Sequence, residues 1–293
     1  MMEAWSDHGI DSEQGVAQNP AVRIALSIVV ALHVGVAIAA PCHVGDVSAA
    51  EDRDLGVLDG VTCLDGSLHI TGTITNLRSL KALTEIKGDV HVARAERLST
   101  LRGLDAVVRV GGSIHIGGPK QGVPRLRNID GLRGVTEVGR DLWISGGYIF
   151  KPGKSRMSFI DGVDGLTSLV RVGGDVVLFD VRAFRGLDAL REIGGDLRIE
   201  HSDFAKLAGF AKLEKIGGSV LFDNNQWLTQ MPGAPKLAKV GGDVSVGCHN
   251  EDDPTRSLRL TEKTVRARFQ NVAVGGVLWR IATTPCWFDP RVK

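Results

Sequence analysis

Apolar residues recur along this chain in two rhythms. In the first, every third position is apolar: Leu77, Leu80, Leu83 and Ile86; Leu98, Leu101, Leu104, Val107 and Val110; Ile160, Val163, Leu166, Leu169 and Val172; Phe204, Leu207, Phe210, Leu213 and Ile216. An α-helical stripe alternates spacings of three and four, so this pattern predicts short extended pieces joined by tight turns, each sending one side chain inward. A glycine pair follows, replaced by Lys87-Gly88 and Gly139-Arg140 in two places. Because glycine tolerates positive φ, the pair predicts a corner. The period then becomes two, as in Leu68 and Ile70, Val90 and Val92, Ile114 and Ile116, Leu197 and Ile199, and Val244 and Val246. That alternation predicts a strand with one face in the core.

The two rhythms form one phrase, and it is repeated. Its clearest form is Leu187-Asp-Ala-Leu-Arg-Glu-Ile-Gly-Gly-Asp-Leu-Arg-Ile199. Eight copies are marked by the residue after the glycines: Ser67, Asp89, Ser113, Asp141, Asp175, Asp196, Ser219 and Asp243. The intervals between them are 22, 24, 28, 34, 21, 23 and 24 residues. A period in the twenties predicts a solenoid, in which each coil contacts only its neighbours. Stacked coils place their strands about 4.8 Å apart in a parallel sheet, and equivalent apolar positions pile into ladders.

Gly-Gly-Asp-Leu-Arg-Ile after a leucine-rich run, with Cys63-Leu-Asp-Gly-Ser-Leu-His-Ile at the entrance, resembles the receptor L domain. That is the ligand-binding module of insulin- and epidermal-growth-factor-type receptors, which also occurs in bacterial envelope proteins. The resemblance covers about residues 60 to 247. It implies a mostly β, right-handed parallel β-helix, leucine-rich-repeat-like, of about eight coils with terminal caps. It also implies a recognition role without a catalytic motif. The cysteine-rich modules and kinase of the animal receptors are missing, so their signalling role does not transfer. The expected organisation is 1–40 as preface and signal peptide, 41–66 as N-terminal cap, 67–246 as solenoid and 247–293 as C-terminal cap. In the last segment Thr261 is placed to N-cap a short helix with Val265, Phe269 and Val272 on one face.

Composition adds a compartment. Ile24 to Ala40 is uncharged, follows Arg23 and ends in small residues, the pattern of a secretory signal peptide. At 17 residues it is marginal for a membrane-spanning anchor. The preface is acidic (Glu3, Asp7, Asp11, Glu13), and translation starting at Val22 would remove it. A lipid anchor on Cys42 is disfavoured by Pro41. The expectation is therefore an extracytoplasmic protein, periplasmic, surface-bound or secreted, touching membrane only through a possible N-terminal anchor. There cysteines pair, and the local pairing Cys42–Cys63 with Cys248–Cys286 would staple the two ends of the solenoid. The other pairings and free thiols remain open. The formal net charge of +1 is too small and dispersed for a nucleic-acid partner.

Candidate chemistry sits on the outward positions. Between the two inward strand residues lie, in order, His69, His91, His115, Trp143, Val177, Arg198, Leu221 and Ser245. The three histidines invite a metal, but the first and third lie roughly 9–10 Å apart, and no cofactor or metal is expected. Asp141, Asp175 and Asp196 on consecutive copies invite a calcium or polysaccharide-cleaving reading. Their recurrence in nearly every copy suits corner residues that accept backbone hydrogen bonds instead, and no Ser/His/Asp order or phosphate loop points to an enzyme. The copies marked by Ser113 and Asp141 are the long ones, and insertions in solenoids form loops on one edge. They bring Lys120, Arg125, Arg127, Tyr148, Phe150, Lys151, Lys154 and Arg156 near His115 and Trp143, residue types enriched at binding hot spots. The expected partner is a protein or glycan of the cell envelope or its surroundings. The rival reading is a purely structural envelope protein, and a β-helical carbohydrate-active enzyme is a third.

Overall fold

The computed structural model describes residues 42–118, 121–149, 156–202, 204–207, 209–223, 225, 227–230, 234–248 and 261–282, with backbone alone at 148, 149, 156, 157, 248 and 279–282. The expected export segment, Lys120, Phe150, Lys151, Lys154 and Cys286 lie outside the described residues.

The chain winds into a β-solenoid with two parallel sheets of ten strands each. A narrow sheet is built mostly from two-residue strands such as Glu192–Ile193. A broad sheet carries the longer strands, Leu68–Ile70 through Val244–Cys248. Each coil contributes one strand to each sheet, and every neighbour is the next coil in sequence. Numbered from Cys42, the eight copies of the phrase occupy coils 2 to 9. Strands Cys42–Val44 and Val47–Ala49 form coil 1, and Ala273–Val274 and Leu278–Ala282 form coil 10. The segments expected to be caps thus continue both sheets. The helix Glu262–Phe269 lies between coils 9 and 10, its N-cap Thr261 accepting a hydrogen bond from the Thr264 N–H. Its Val265 and Phe269 are buried, and Val272 packs against the core.

The core is the expected set of ladders. Leu68, Val90, Ile114, Leu142, Val176, Leu197, Val220 and Val244 are stacked in register and buried. Ile86, Val110, Val138, Val172, Ile193, Ile216 and Val240 form a second buried ladder on the narrow sheet. Each such burial contributes about 1.5–3 kcal/mol.

The spacing of three has a different origin from the extended pieces expected. Leu80 donates its N–H to the Leu77 carbonyl, and Leu83 to Leu80; Leu132 and Val135 repeat this with Ile129 and Leu132, and Leu166 and Leu169 with Val163 and Leu166. These are consecutive 3₁₀-type turns, whose three residues per turn bring i and i+3 to the same side. In coils 3, 5 and 6 the pattern becomes regular 3₁₀-helix at Arg78–Leu80, Asp130–Leu132 and Asp164–Leu166.

The glycine pairs also work differently from a positive-φ corner. Gly194 and Gly195 do not adopt the left-handed region. A Cβ on Gly194 would lie 1.9 Å from the Gly173 carbonyl oxygen, and one on Gly195 2.1 Å from Asp175 Oδ1. The corner is glycine because the coil beneath already occupies the side-chain position. Left-handed residues recur one corner later, just after broad-sheet strands, at Arg94, Gly117, Gly147, Asp180 and His201.

Candidate binding face

The outward column of the broad sheet is in register through its whole length. His69 pairs with His91, His91 with His115, His115 with Trp143, Trp143 with Val177, Val177 with Arg198, Arg198 with Leu221, and Leu221 with Ser245. The first four form a continuous row of rings. Centroids are 6.0 Å apart from His69 to His91, 5.9 Å from His91 to His115 and 6.4 Å from His115 to Trp143, the last two contacts edge to face. Such arrangements satisfy the ring quadrupoles better than face-to-face stacking.

The column changes character after Trp143. The rings of coils 2 to 5 are half-buried, whereas outward-facing Val177 is 2% exposed and Ser145 is fully buried. Arg198 is held by Glu200 at 2.6 Å, both side chains largely covered. The row of rings therefore ends at a buried valine and an internal ion pair, and half-buried Leu221 and Ser245 follow.

The two insertions meet at their bases. Val123 donates its N–H to the Gly146 carbonyl and Ser158 to that of Gly147, and the Cβ position of Gly147 lies 2.5 Å from the Gly118 carbonyl oxygen. The second insertion is a hairpin, with Tyr148–Ile149 antiparallel to Arg156–Met157. The first turns back over coil 3. There the Arg94 N–H reaches the Gln121 carbonyl, and Gln121 Oε1 lies 3.2 Å from His91 Nε2. Gln121 is the contact residue that the sequence did not single out, since a lone amide in a loop carries no periodic signal. Arg125, expected beside it, sits exposed between inward-facing Val123 and Leu126, on a turn that follows the insertion. Tyr148 and Arg156 are placed on the hairpin by their backbones.

Burial pushes the His115 imidazole below its ordinary value, the neighbouring His91 adds to the shift, and Asp141 and Asp89 oppose it. His115 is consequently neutral at pH 7. Trp143 Nε1 and the hydroxyls of Ser145 and Ser158 beside the insertions are buried without a hydrogen-bond partner among the described residues. An unsatisfied buried donor costs about 1–3 kcal/mol.

The acidic column is fully engaged in the scaffold. Asp46, Asp89, Asp141, Asp175, Asp196 and Asp243 each accept, at 2.7–2.8 Å, the backbone N–H of the corresponding residue one coil on; Ser67, Ser113 and Ser219 do the same at 3.1–3.2 Å. The acceptors bridge coils instead of bonding within their own turn. Cys42 and Cys63 are register partners on the narrow sheet and form a disulfide. Above them runs a column that the sequence reading missed: Glu85, Arg109, Glu137, Arg171, Glu192, Lys215 and Lys239. Its contacts include Arg109 to Glu85 at 3.7 Å and to Glu137 at 3.5 Å, and Glu192 to Lys215 at 2.8 Å.

One internal cavity of about 30 Å³ lies under the helix, lined by residues including Leu207, Phe210, Ala234 and Phe269, with Arg268 at its edge. It holds one or two waters at most and lies in the core, away from the ring column. Among the described residues no group of three or more His, Cys, Asp or Glu side chains is placed to hold a metal, and no helix is long and apolar enough to cross a membrane. No family model, curated protein or solved structure matches the chain.

Proposed function

We propose that this protein is an exported, non-catalytic recognition protein of the receptor L-domain type, and that it binds its partner on the ring-bearing half of the broad sheet. The observation that carries the reading is the contrast within a single column. His69, His91, His115 and Trp143 form one continuous row of half-buried rings, while the next two positions are buried Val177 and Arg198 in its ion pair with Glu200. The insertions lie against the ring row, through Gln121 on one side and the Gly146–Gly147 base on the other. Export is supported by the signal-like segment before Pro41 and by the Cys42–Cys63 disulfide, which suits an oxidising compartment.

The test is capture of envelope proteins and glycans by the purified protein, compared with a variant carrying Trp143→Ala, Tyr148→Ala and Phe150→Ala. Capture by the wild type and its loss in a variant that melts at the same temperature is the expected outcome. Undiminished capture by the variant contradicts the reading and favours a purely structural envelope component. Release of product from polysaccharides, lost on Asp175→Asn, contradicts the non-catalytic assignment.

A further inference from the structure

The charged column on the narrow sheet is not evenly paired. Arg109 contacts both Glu85 and Glu137, and Glu192 contacts Arg171 at 3.6 Å and Lys215 at 2.8 Å. Between these two groups the run stops. Glu137 and Arg171 are register partners on adjacent coils, yet among the described residues no ion pair joins them. The column is thus split into an acidic triad on coils 3 to 5 (Glu85, Arg109, Glu137) and a basic triad on coils 6 to 8 (Arg171, Glu192, Lys215). Each triad carries one charge in excess, and its side chains are about a third to just over half exposed.

The break falls at the midpoint of the sheet. Ten strands follow one another from coil 1 to coil 10, with Glu137 on the fifth and Arg171 on the sixth. A two-fold axis parallel to the strands and passing between these two sets Glu137 against Arg171 of a second copy, Arg109 against Glu192, and Glu85 against Lys215. Any alternating column can be set against itself. This one is distinguished by a centre that coincides with the centre of the sheet, so that all ten strands overlap, and by an excess charge of opposite sign on either side of it. Two further features favour the same antiparallel arrangement. Val108 and Val170, 47% and 39% exposed, flank Thr136 on the file next to the column and place apolar surface beside the axis. The ends of the solenoid are also oppositely charged: residues 42–66 hold six acids and one base, Arg53, whereas between 205 and 240 five lysines stand against Glu214 and Asp223. Antiparallel copies bring acidic end over basic end, and parallel copies bring like over like.

We infer that the narrow sheet is the contact face of a two-fold dimer of this chain. The interface is isologous, each charge of the column meeting its opposite twice. Ten strands about 4.8 Å apart and about four residues wide make a face of about 43 by 13 Å. That is roughly 550 Å² per partner, at the small end of specific interfaces, so the dimer is weak and reversible. Complementary charge fixes its orientation and makes it sensitive to salt. The inference stands apart from the recognition reading, whose row of rings lies on the other sheet.

The experiment is sedimentation equilibrium of the full chain at protein concentrations up to about 1 mM, in about 25 mM and about 500 mM salt. A monomer–dimer equilibrium that weakens with salt is expected. Arg171→Glu sets like charges together twice across the axis and is expected to weaken the dimer about a hundredfold. Adding Glu137→Arg to it restores opposite charges across the axis while breaking the alternation within each chain. That double variant is expected to dimerise within about threefold of the wild type. Val170→Asp leaves the column untouched and is expected to weaken the dimer about tenfold. Melting of each variant is measured first, which separates a lost contact from a lost fold. A chain that stays monomeric at the highest concentration in low salt overturns the inference, as does assembly beyond the dimer. So does a dimer indifferent to Arg171→Glu, or a double variant no better than the single one, the result expected of a column that serves its own chain alone.

Discussion

At the scale of single residues, the corner column and the ring column look equally chemical in the sequence and separate only in the structure. Asp141, Asp175 and Asp196 on consecutive coils resemble a calcium or catalytic cluster, yet each is consumed by a backbone N–H from the next coil. Asp196→Ala leaves the Ser219 N–H buried without an acceptor and is expected to cost about 1–3 kcal/mol. Asp196→Asn retains an acceptor oxygen and is expected to stay close to wild type. Urea denaturation of the two variants checks this; equal losses contradict the hydrogen-bond role. His115 supplies a second prediction. Its folded-state pKa is depressed by burial and by His91, with Arg140 adding to the shift and Asp141 and Asp89 opposing it. As pH falls through about 6.5, the unfolded chain takes up a proton that the folded chain resists. Stability therefore falls as pH drops through the unfolded value of about 6.5, and His115→Gln is expected to flatten part of that slope.

At the scale of elements, the legible parts were those governed by one strand at a time. Period-two alternation identified the broad-sheet strands and their inward ladders, and the same alternation assigned His69, His91, His115 and Trp143 to one outward file. Features that depend on what lies one coil away were not legible. Gly194 reads as a flexible corner, because nothing in its own coil reveals that the Gly173 carbonyl fills its side-chain position. Gly194→Ala is accordingly expected to destabilise by roughly 1–3 kcal/mol or more, as overpacking does, with a lowered thermal midpoint as the readout. The alternating column from Glu85 to Lys215 was missed for the same reason, since opposite charges some twenty residues apart are neighbours only once register is known. Its members are about a third to a half exposed, so each pair contributes little to stability, about 0–1 kcal/mol; the column's effect is to favour one register over others. The period of three excludes an α-helix, but the expectation of extended pieces was wrong, because 3₁₀ turns and extended pieces share that spacing.

At the scale of the whole molecule, a solenoid needs its ends closed and its faces differentiated. The chain closes its start with a disulfide between coils 1 and 2, and Cys63→Ser is expected to lower unfolding free energy by about 3 kcal/mol through the loop it releases. At the other end the helix Glu262–Phe269 buries Val265 and Phe269 beside the last coils. The two sheets then carry opposite kinds of outward column. The narrow sheet presents charges that pair with one another, and the broad sheet presents a row of half-buried rings. The most direct measurement compares a variant on each sheet, Trp143→Ala and Glu137→Gln, for ligand capture by the full chain. The account predicts that Trp143→Ala abolishes capture while Glu137→Gln retains it. Capture lost with Glu137→Gln and kept with Trp143→Ala would contradict it.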